Sequence, residues 1–421
     1  MSQPRSEGLV SMNQILSLYL PSVLLSLGTS LVAPVIPGLA KSFDVGVSMA
    51  SLVFVAANAG QLAATFPTGY LIDKIGRRPV LLAGPMLTGV ASFMTPFSHT
   101  IWELFFWRFL TGVALQIWQQ ARLAVIADTA KQRERARQVQ WMMGVGQAGT
   151  LFGPSVGGFL AAGFGLAVPF VAHAVLTVLA IIPSFWLVRE SDPARQKRSE
   201  GDAAAPSAPA ENEWGRVIAY MLTFQMLVFL SVQMLANLSR GGFDQGALNL
   251  YAVYNYGLGP DTLGLLNTAA IFFGLPVPFL SGYLMDRFGR RSVIVPGFSA
   301  YATALILMSV TAFMQVPLEF FMVGYVLVQA TQGTTGGTMQ VLGTDLSPPF
   351  ARGRFFAIWR TIAQLGATVT PAVFATIAEH AGFGYSFVYL GTCSLLVAIG
   401  VGVLLGDTLA RQDAAERGKP A

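Results

Sequence analysis

Apolar positions along this chain gather into twelve runs, roughly 15–39, 46–71, 80–97, 102–127, 138–163, 166–188, 217–251, 260–285, 292–313, 317–343, 355–378 and 383–405. Each is long enough to carry a helix across the hydrocarbon core of a bilayer, which takes roughly 20 residues, and the seventh is longer than one span needs. Backbone groups in lipid must be satisfied within their own segment, so runs of this kind are read as spanning helices. The pattern predicts an all-α membrane protein of twelve transmembrane helices arranged as two pseudo-symmetric six-helix bundles. The seventh run is the least regular, because Arg240, Gly241, Gly242 and Asp244 interrupt it. The first, Ile15 to Leu39, is too long for a secretory leader and has no clear cleavage site, so it is read as the first span.

The polar stretches between the runs orient them. With both termini in the cytoplasm, Lys41 is the one Lys or Arg on an outer loop. Arg108, Arg122, Arg240 and Arg360 stay within or at the edge of helices, and all other basic residues fall on the cytoplasmic side. Lys and Arg favour cytoplasmic loops, so this asymmetry predicts a multi-pass protein of the inner (plasma) membrane with both ends inside. Residues 189–216, rich in Ala, Pro and charge, read as a flexible cytoplasmic linker. They separate an N-terminal bundle (1–188) from a C-terminal bundle with a short cytoplasmic tail (217–421).

Composition agrees. Of 421 residues, 53% are hydrophobic and 11% charged, with mean hydropathy +0.58. A soluble domain carries about 25% charged residues, and the twelve runs leave no length for a large soluble domain. The net charge of +5 is spread among loops, which argues for topology rather than nucleic-acid binding. The lone cysteine, Cys393, excludes a disulfide within the chain.

The two halves share sequence. Gly69-Tyr-Leu-Ile-Asp73-Lys-Ile-Gly76-Arg77-Arg78 recurs as Gly282-Tyr-Leu-Met-Asp286-Arg-Phe-Gly289-Arg290-Arg291. Gln116 and Gln119 recur as Gln329 and Gln332, and Asp128, Trp141, Gly149 and Pro154 recur as Asp345, Trp359, Gly366 and Pro371. A same-direction repeat of six helices implies a pseudo-two-fold axis along the membrane normal. These repeated loops resemble motif A of the major facilitator superfamily. Arg108-Phe-Leu-Thr-Gly112 is similar to its motif B, and Gly149, Gly153, Pro154, Gly157 and Gly158 match motif C of its twelve-helix drug:proton antiporter branch. The resemblance covers nearly the whole chain and implies a gating role for the motif A loops. Physically, Asp73 and Asp286 can pair with a basic group or a helix N-terminus. The alternative for Arg77 and Arg78 is that they only anchor the loop inside, and the motif C glycines can equally serve close helix packing alone.

A polar stripe on the fourth run (Arg108, Gly112, Gln116, Gln119, Arg122) covers about 120° of a helix. Buried charge is costly in lipid, so the stripe should face a cavity. The tenth run carries Gln329, Gln332, Gly336 and Gln340, and the second adds Asn58 and Gln61. Trp118, Trp141, Phe224, Phe272 and Trp359 are candidate aromatic walls, though each can equally face lipid or a neighbouring helix. Arg240 and Asp244, four apart, fall on one helix face and can pair. They are candidates for proton coupling, with a static ion pair as the equal alternative and His173 as a further titratable group. The first run offers Ser22, Ser26, Thr29 and Ser30 but no acid. Membrane-embedded charge that is mostly Arg favours neutral or anionic substrates over bulky cations.

The expected function is proton-coupled efflux of small amphipathic neutral or anionic organic compounds by alternating access. Proton-coupled uptake of an organic anion, or transport of a lipid-like substrate, are the alternatives. No nucleotide loop, metal-ligand cluster or nucleophile motif argues for an enzyme. The expected partners are a small-molecule substrate, protons and the lipid bilayer, for a monomer without cofactor or metal.

Overall fold

A computed structural model describes residues 19–129, 135–187, 213–244, 246–348 and 352–404. Most of the expected linker, 189–212, lies outside these residues. Among the described residues there are helices and no β-strand.

The first span is broken into α1 (Leu20–Val32) and α2 (Ile36–Lys41). Pro34 and Pro37 flank the break, and the residue before a proline avoids helical backbone. The next five spans are α3 (Val47–Ile75), α4 (Arg77–Met94), α5 (Ile101–Thr129), α6 (Arg135–Phe164) and α7 (Val168–Leu187). The seventh run is three helices: α8 (Glu213–Met221), α9 (Phe224–Asp244) and α10 (Ala247–Asn255). The apolar run predicts one span over 217–251 with its weak point at Arg240 to Asp244. Instead the chain bends by 74° between α8 and α9, and α9 continues as helix through Arg240 and Gly241. The second break lies just beyond, where Gly246 has φ +88°. The eighth span is α11 (Pro260–Gly274) with α12 (Val277–Phe288). The last four are α13 (Arg291–Met314), α14 (Leu318–Asp345), α15 (Arg352–Ala381) and α16 (Phe383–Ile399).

Seven of these spans are long and apolar enough by themselves to cross a membrane. Helices α5, α6 and α14 are of comparable length but do not qualify, because glutamines, arginines and glycines dilute their apolar content.

The chain divides into two compact units, one of Met1–Leu39 with Ala56–Ala205 and one of Ala40–Val55 with Pro206–Ala421. In the first, α1 packs on α6 and α7, and α4 packs on α5 and α7. In the second, α9 packs on α15 and α16, and α13 packs on α14 and α16. The second pattern is the first displaced by six spans, so the sequence repeat is also a packing repeat.

The stretch 40–55 packs within the second unit. Lys41 Nζ donates to the Val253 carbonyl at 3.0 Å, and the Tyr254 hydroxyl donates to the Val45 carbonyl at 3.0 Å. The Ser48 amide, at the start of α3, donates to Glu379 Oε2 at 2.8 Å. A carboxylate there complements the positive end of the helix.

Candidate functional site: a polar cavity in each unit

The repeated loops share one backbone conformation. Gly76 and Gly289 have φ of 91° and 89° with ψ of 169° and 160°. Their amides close the preceding helices onto the Ile72 and Met285 carbonyls at 3.1 and 2.9 Å. That region of backbone space is open to glycine almost alone. A Cβ on Gly69 or Gly282 would meet nothing within 4 Å, so neither glycine makes a close helix approach in this structure. Arg77 Nη1 donates to the Ala124 carbonyl at 3.1 Å. Arg78 Nη2 donates to the Phe185 carbonyl at 2.8 Å, with its guanidinium 5.3 Å from the Phe185 ring centroid. Arg78 thus ties the loop to the last turn of α7, where helix carbonyls lack partners, and Arg77 ties it to α5 further inside that helix. Arg290 is partly buried. The side chains of Asp73, Asp286 and Asp244 lie outside the described residues.

The motif C glycines line the face of α6 that meets α1. A Cβ on Gly149 would lie 2.6 Å from the Val23 carbonyl oxygen, and one on Gly153 or Gly157 would overlap Ser30 Oγ or the Leu31 carbonyl. Pro154 and Gly158 are buried beside them. Helix backbones come this close only over small residues. At the equivalent α9–α15 crossing, a Cβ on Gly241 would lie 2.7 Å from the Ala367 Cα, and Gly366 faces Met234 and Asn237. Thr370 replaces the second glycine and turns its hydroxyl onto the Gly366 carbonyl of its own helix at 2.7 Å.

Each unit holds a cavity at these crossings. The first, about 280 Å³, lies between α1, α5 and α6 and is lined by Leu25, Ser26, Thr29, Ser30, Ala33, Leu115, Trp118, Gln119, Arg122 and Thr150. Arg122 Nη1 donates to Ser22 Oγ at 3.2 Å, and its guanidinium lies 5.8 Å from the Trp118 ring centroid. The second, about 550 Å³, lies between α9, α14 and α15 and is lined by Gln233, Asn237, Arg240, Gly336, Met339, Gln340, Phe356, Trp359, Arg360, Ala363 and Gln364. These are equivalent spans of the repeat: first, fourth and fifth against seventh, tenth and eleventh. Such volumes suit small organic ligands at the lower and middle of the usual range.

The expected cavity residues are distributed less evenly. Gln119 lines the first cavity, but Gln116, Asn58, Gln61 and Arg108 line neither. Gly112 is packed against the Ala57 backbone, and Gly60 reciprocally against Phe109. The α5 stripe is therefore divided between a helix crossing and the cavity. Asn58 is 1% exposed, and neither polar atom of its amide has a partner. Arg108 Nε is likewise buried without one. His173 is held between the Ser92 hydroxyl, 3.0 Å from Nδ1, and Gly28 of α1. Gln332 is buried and Gln329 half-buried, and neither lines the second cavity; Gly336 and Gln340 from the same stripe do. Trp118 and Trp359 are cavity walls, whereas Phe224 and Phe272 are largely exposed and line neither cavity. Gln233, Asn237 and Gln364 were missed from sequence. Their signal was present as polar spacings of three and four: Gln233, Asn237, Arg240 on α9 and Arg360, Gln364 on α15.

Comparison with known proteins extends this picture. The chain is similar to the quinolone resistance protein NorA of Staphylococcus aureus strain MRSA252, at 26% identity over 275 residues, 65% of this chain and 67% of that protein. It is 28% identical over 302 residues to the class C tetracycline resistance protein of Escherichia coli, covering 70% and 74% of the two chains. Bacillus subtilis multidrug resistance protein 2 is 22% identical over 274 residues, 64% and 66% of the two. Among solved structures, a D-xylose-proton symporter shares the fold with a TM-score of 0.73 at 18% identity, over 92% of this chain and 96% of that one. The sequence profile of the Major Facilitator Superfamily matches residues 18–254 and 242–421, and the chain belongs to that family of multi-pass membrane transporters.

Proposed function

We propose that this transporter exports small amphipathic neutral or anionic organic compounds in exchange for protons, by alternating access. The observation that carries the reading is the pair of polar, aromatic-walled cavities on equivalent spans of the repeat, each lined by arginine and, among the described residues, by no acid. Alternating access in inverted or parallel repeats rests on such repeated architecture. The similarity to proteins named for quinolone, tetracycline and multidrug resistance supports the outward direction. In this reading Asp73 and Asp286 gate the cycle from the cytoplasmic loops, and Asp244 exchanges the proton with Arg240 as its intermittent partner. Both termini face the cytoplasm, and the linker at 189–216 joins two six-span domains of a monomer.

The test is a susceptibility and accumulation screen in a host stripped of its own exporters. Expression should lower cellular accumulation of the transported compound, collapse of the proton gradient should restore it, and Asp73→Asn at normal protein level should behave like the empty host. Accumulation that rises on expression would support the second reading, uptake of an organic anion by proton symport.

A further inference from the structure

The cavity of the first unit holds a single charge in a fixed place. Of the described residues that line it, Arg122 alone is ionisable. Its Nη1 donates to Ser22 Oγ at 3.2 Å, and Ser22 is fully buried on α1. The Trp118 ring lies 5.8 Å from the guanidinium and is itself buried. Trp118 is seated in turn by α4, where a Cβ on Gly84 would come within 2.8 Å of the Trp118 amide nitrogen. A guanidinium can donate five hydrogen bonds, yet Nε of Arg122 is buried without a partner. Among the described residues no carboxylate answers its charge. Asp128, the next acid along α5, is about 120° round the helix and about 9 Å further along it. A charge held in low dielectric with no counter-ion is costly, and a bound anion relieves that cost. One guanidinium neutralises one charge, which favours a monoanion over a phosphate or a dicarboxylate.

The threonine hydroxyls on the walls accept rather than donate. Thr29 Oγ1 donates to the Leu25 carbonyl at 2.8 Å, and Thr150 Oγ1 to the Gln147 carbonyl at 2.7 Å. Each spends its one proton on its own helix and keeps its lone pairs for a ligand. Thr29 is two turns of α1, about 10 Å, from Ser22, where the guanidinium is tethered. That distance, the apolar walls of Leu25 and Leu115 and a volume of about 280 Å³ suit a ligand of one ring. We propose that this cavity binds a single-ring aromatic monocarboxylate with a hydroxyl at the far end of the ring, its carboxylate on Arg122 and its hydroxyl donating to Thr29 or Thr150. The planar guanidinium matches a carboxylate better than it matches a neutral amide. The site rests on the export reading and deepens it, by narrowing neutral or anionic substrates to a small monoanion, and its binding chemistry is separable from transport.

The test is calorimetric titration of the full chain in lipid nanodiscs with 4-hydroxybenzoate, with its neutral counterpart 4-hydroxybenzamide and with benzoate. 4-Hydroxybenzoate should bind about tenfold more tightly than the amide, a preference lost in Arg122→Gln while amide binding is retained. It should also bind severalfold more tightly than benzoate, a gap that closes in the Thr29→Val, Thr150→Val double variant, which keeps Arg122. Should Arg122→Gln bind neither ligand, Arg122→Lys decides: the preference for the carboxylate must return with the charge, and its failure to return would count against the site. Equal affinities for carboxylate and amide in the unaltered protein, or a preference that survives in Arg122→Gln, would overturn the assignment. A protein that prefers the carboxylate but exports nothing would support the site and remove the export reading. One that exports neutral compounds without that preference would overturn the site alone.

Discussion

Ser30 Oγ on α1 occupies the space that a Cβ on Gly153 of α6 would need. Its single proton is shared among the Ser26 and Leu27 carbonyls, each 2.9 Å away, and the Gly149 carbonyl at 3.3 Å. It cannot give way without leaving that shared hydrogen bond. Gly153→Val should therefore destabilise the first unit by at least the 1–3 kcal/mol, roughly, of an overpacked site. Gly163→Ala, on the same helix with open space at its Cβ, should cost far less. Thermal aggregation of the two variants in detergent, followed by size-exclusion chromatography, compares them directly.

Gly76 and Gly289 make a paired prediction. Their φ of 91° and 89° and ψ of 169° and 160° fall in one region, so alanine at either should cost about 1–3 kcal/mol, and nearly the same amount. The check is melting temperature for each single variant. A large inequality would show that the two loops are not equivalent in energy as they are in shape.

Asn58 invites the opposite outcome. It is buried with an amide that no protein group completes. Replacing such a group by an apolar residue of similar shape is near neutral or stabilising. Asn58→Leu should hold or raise the melting temperature, and if the amide serves the transport cycle, transport should fall. Loss of stability would mean that the amide is completed by bound water.

The contact of Glu379 with the start of α3 concerns the stretch 40–55. With Cys393 replaced by Ala, a cysteine at Ser48 should react slowly with a soluble maleimide, because Ser48 Oγ is buried. Glu379→Gln weakens a charge-assisted bond to the Ser48 amide, and labelling should speed up severalfold. An unchanged rate would show that Lys41 and Tyr254 hold the stretch without it.

The spans were legible because lipid allows so few backbone solutions that twelve apolar runs map onto helices with little ambiguity. The repeat was legible because Gly76 and Gly289 sit in loops where only one residue type fits. The breaks in the first and seventh spans were less so. Gly241 interrupts the seventh run in sequence, yet it serves the close approach of Ala367, and the breaks lie before Phe224 and at Gly246. A glycine in a run does not reveal whether it bends its own helix or admits another. The same ambiguity affected the α5 stripe: Gly112 shares a helix face with Gln119, but it meets α3 rather than the cavity. Single polar residues such as Gln233 and Gln364 were passed over because an isolated glutamine in an apolar run carries weak signal until its neighbours at three and four residues are counted with it.

The central claim is outward, proton-driven transport, and everted membrane vesicles test it most directly. When their interior is acidified by respiration, vesicles containing this chain should accumulate, above the level of control vesicles, a compound whose accumulation in whole cells expression lowers, and an uncoupler should release it. Accumulation that ignores the proton gradient, or that occurs only in right-side-out vesicles with the acid side outside, would contradict the account.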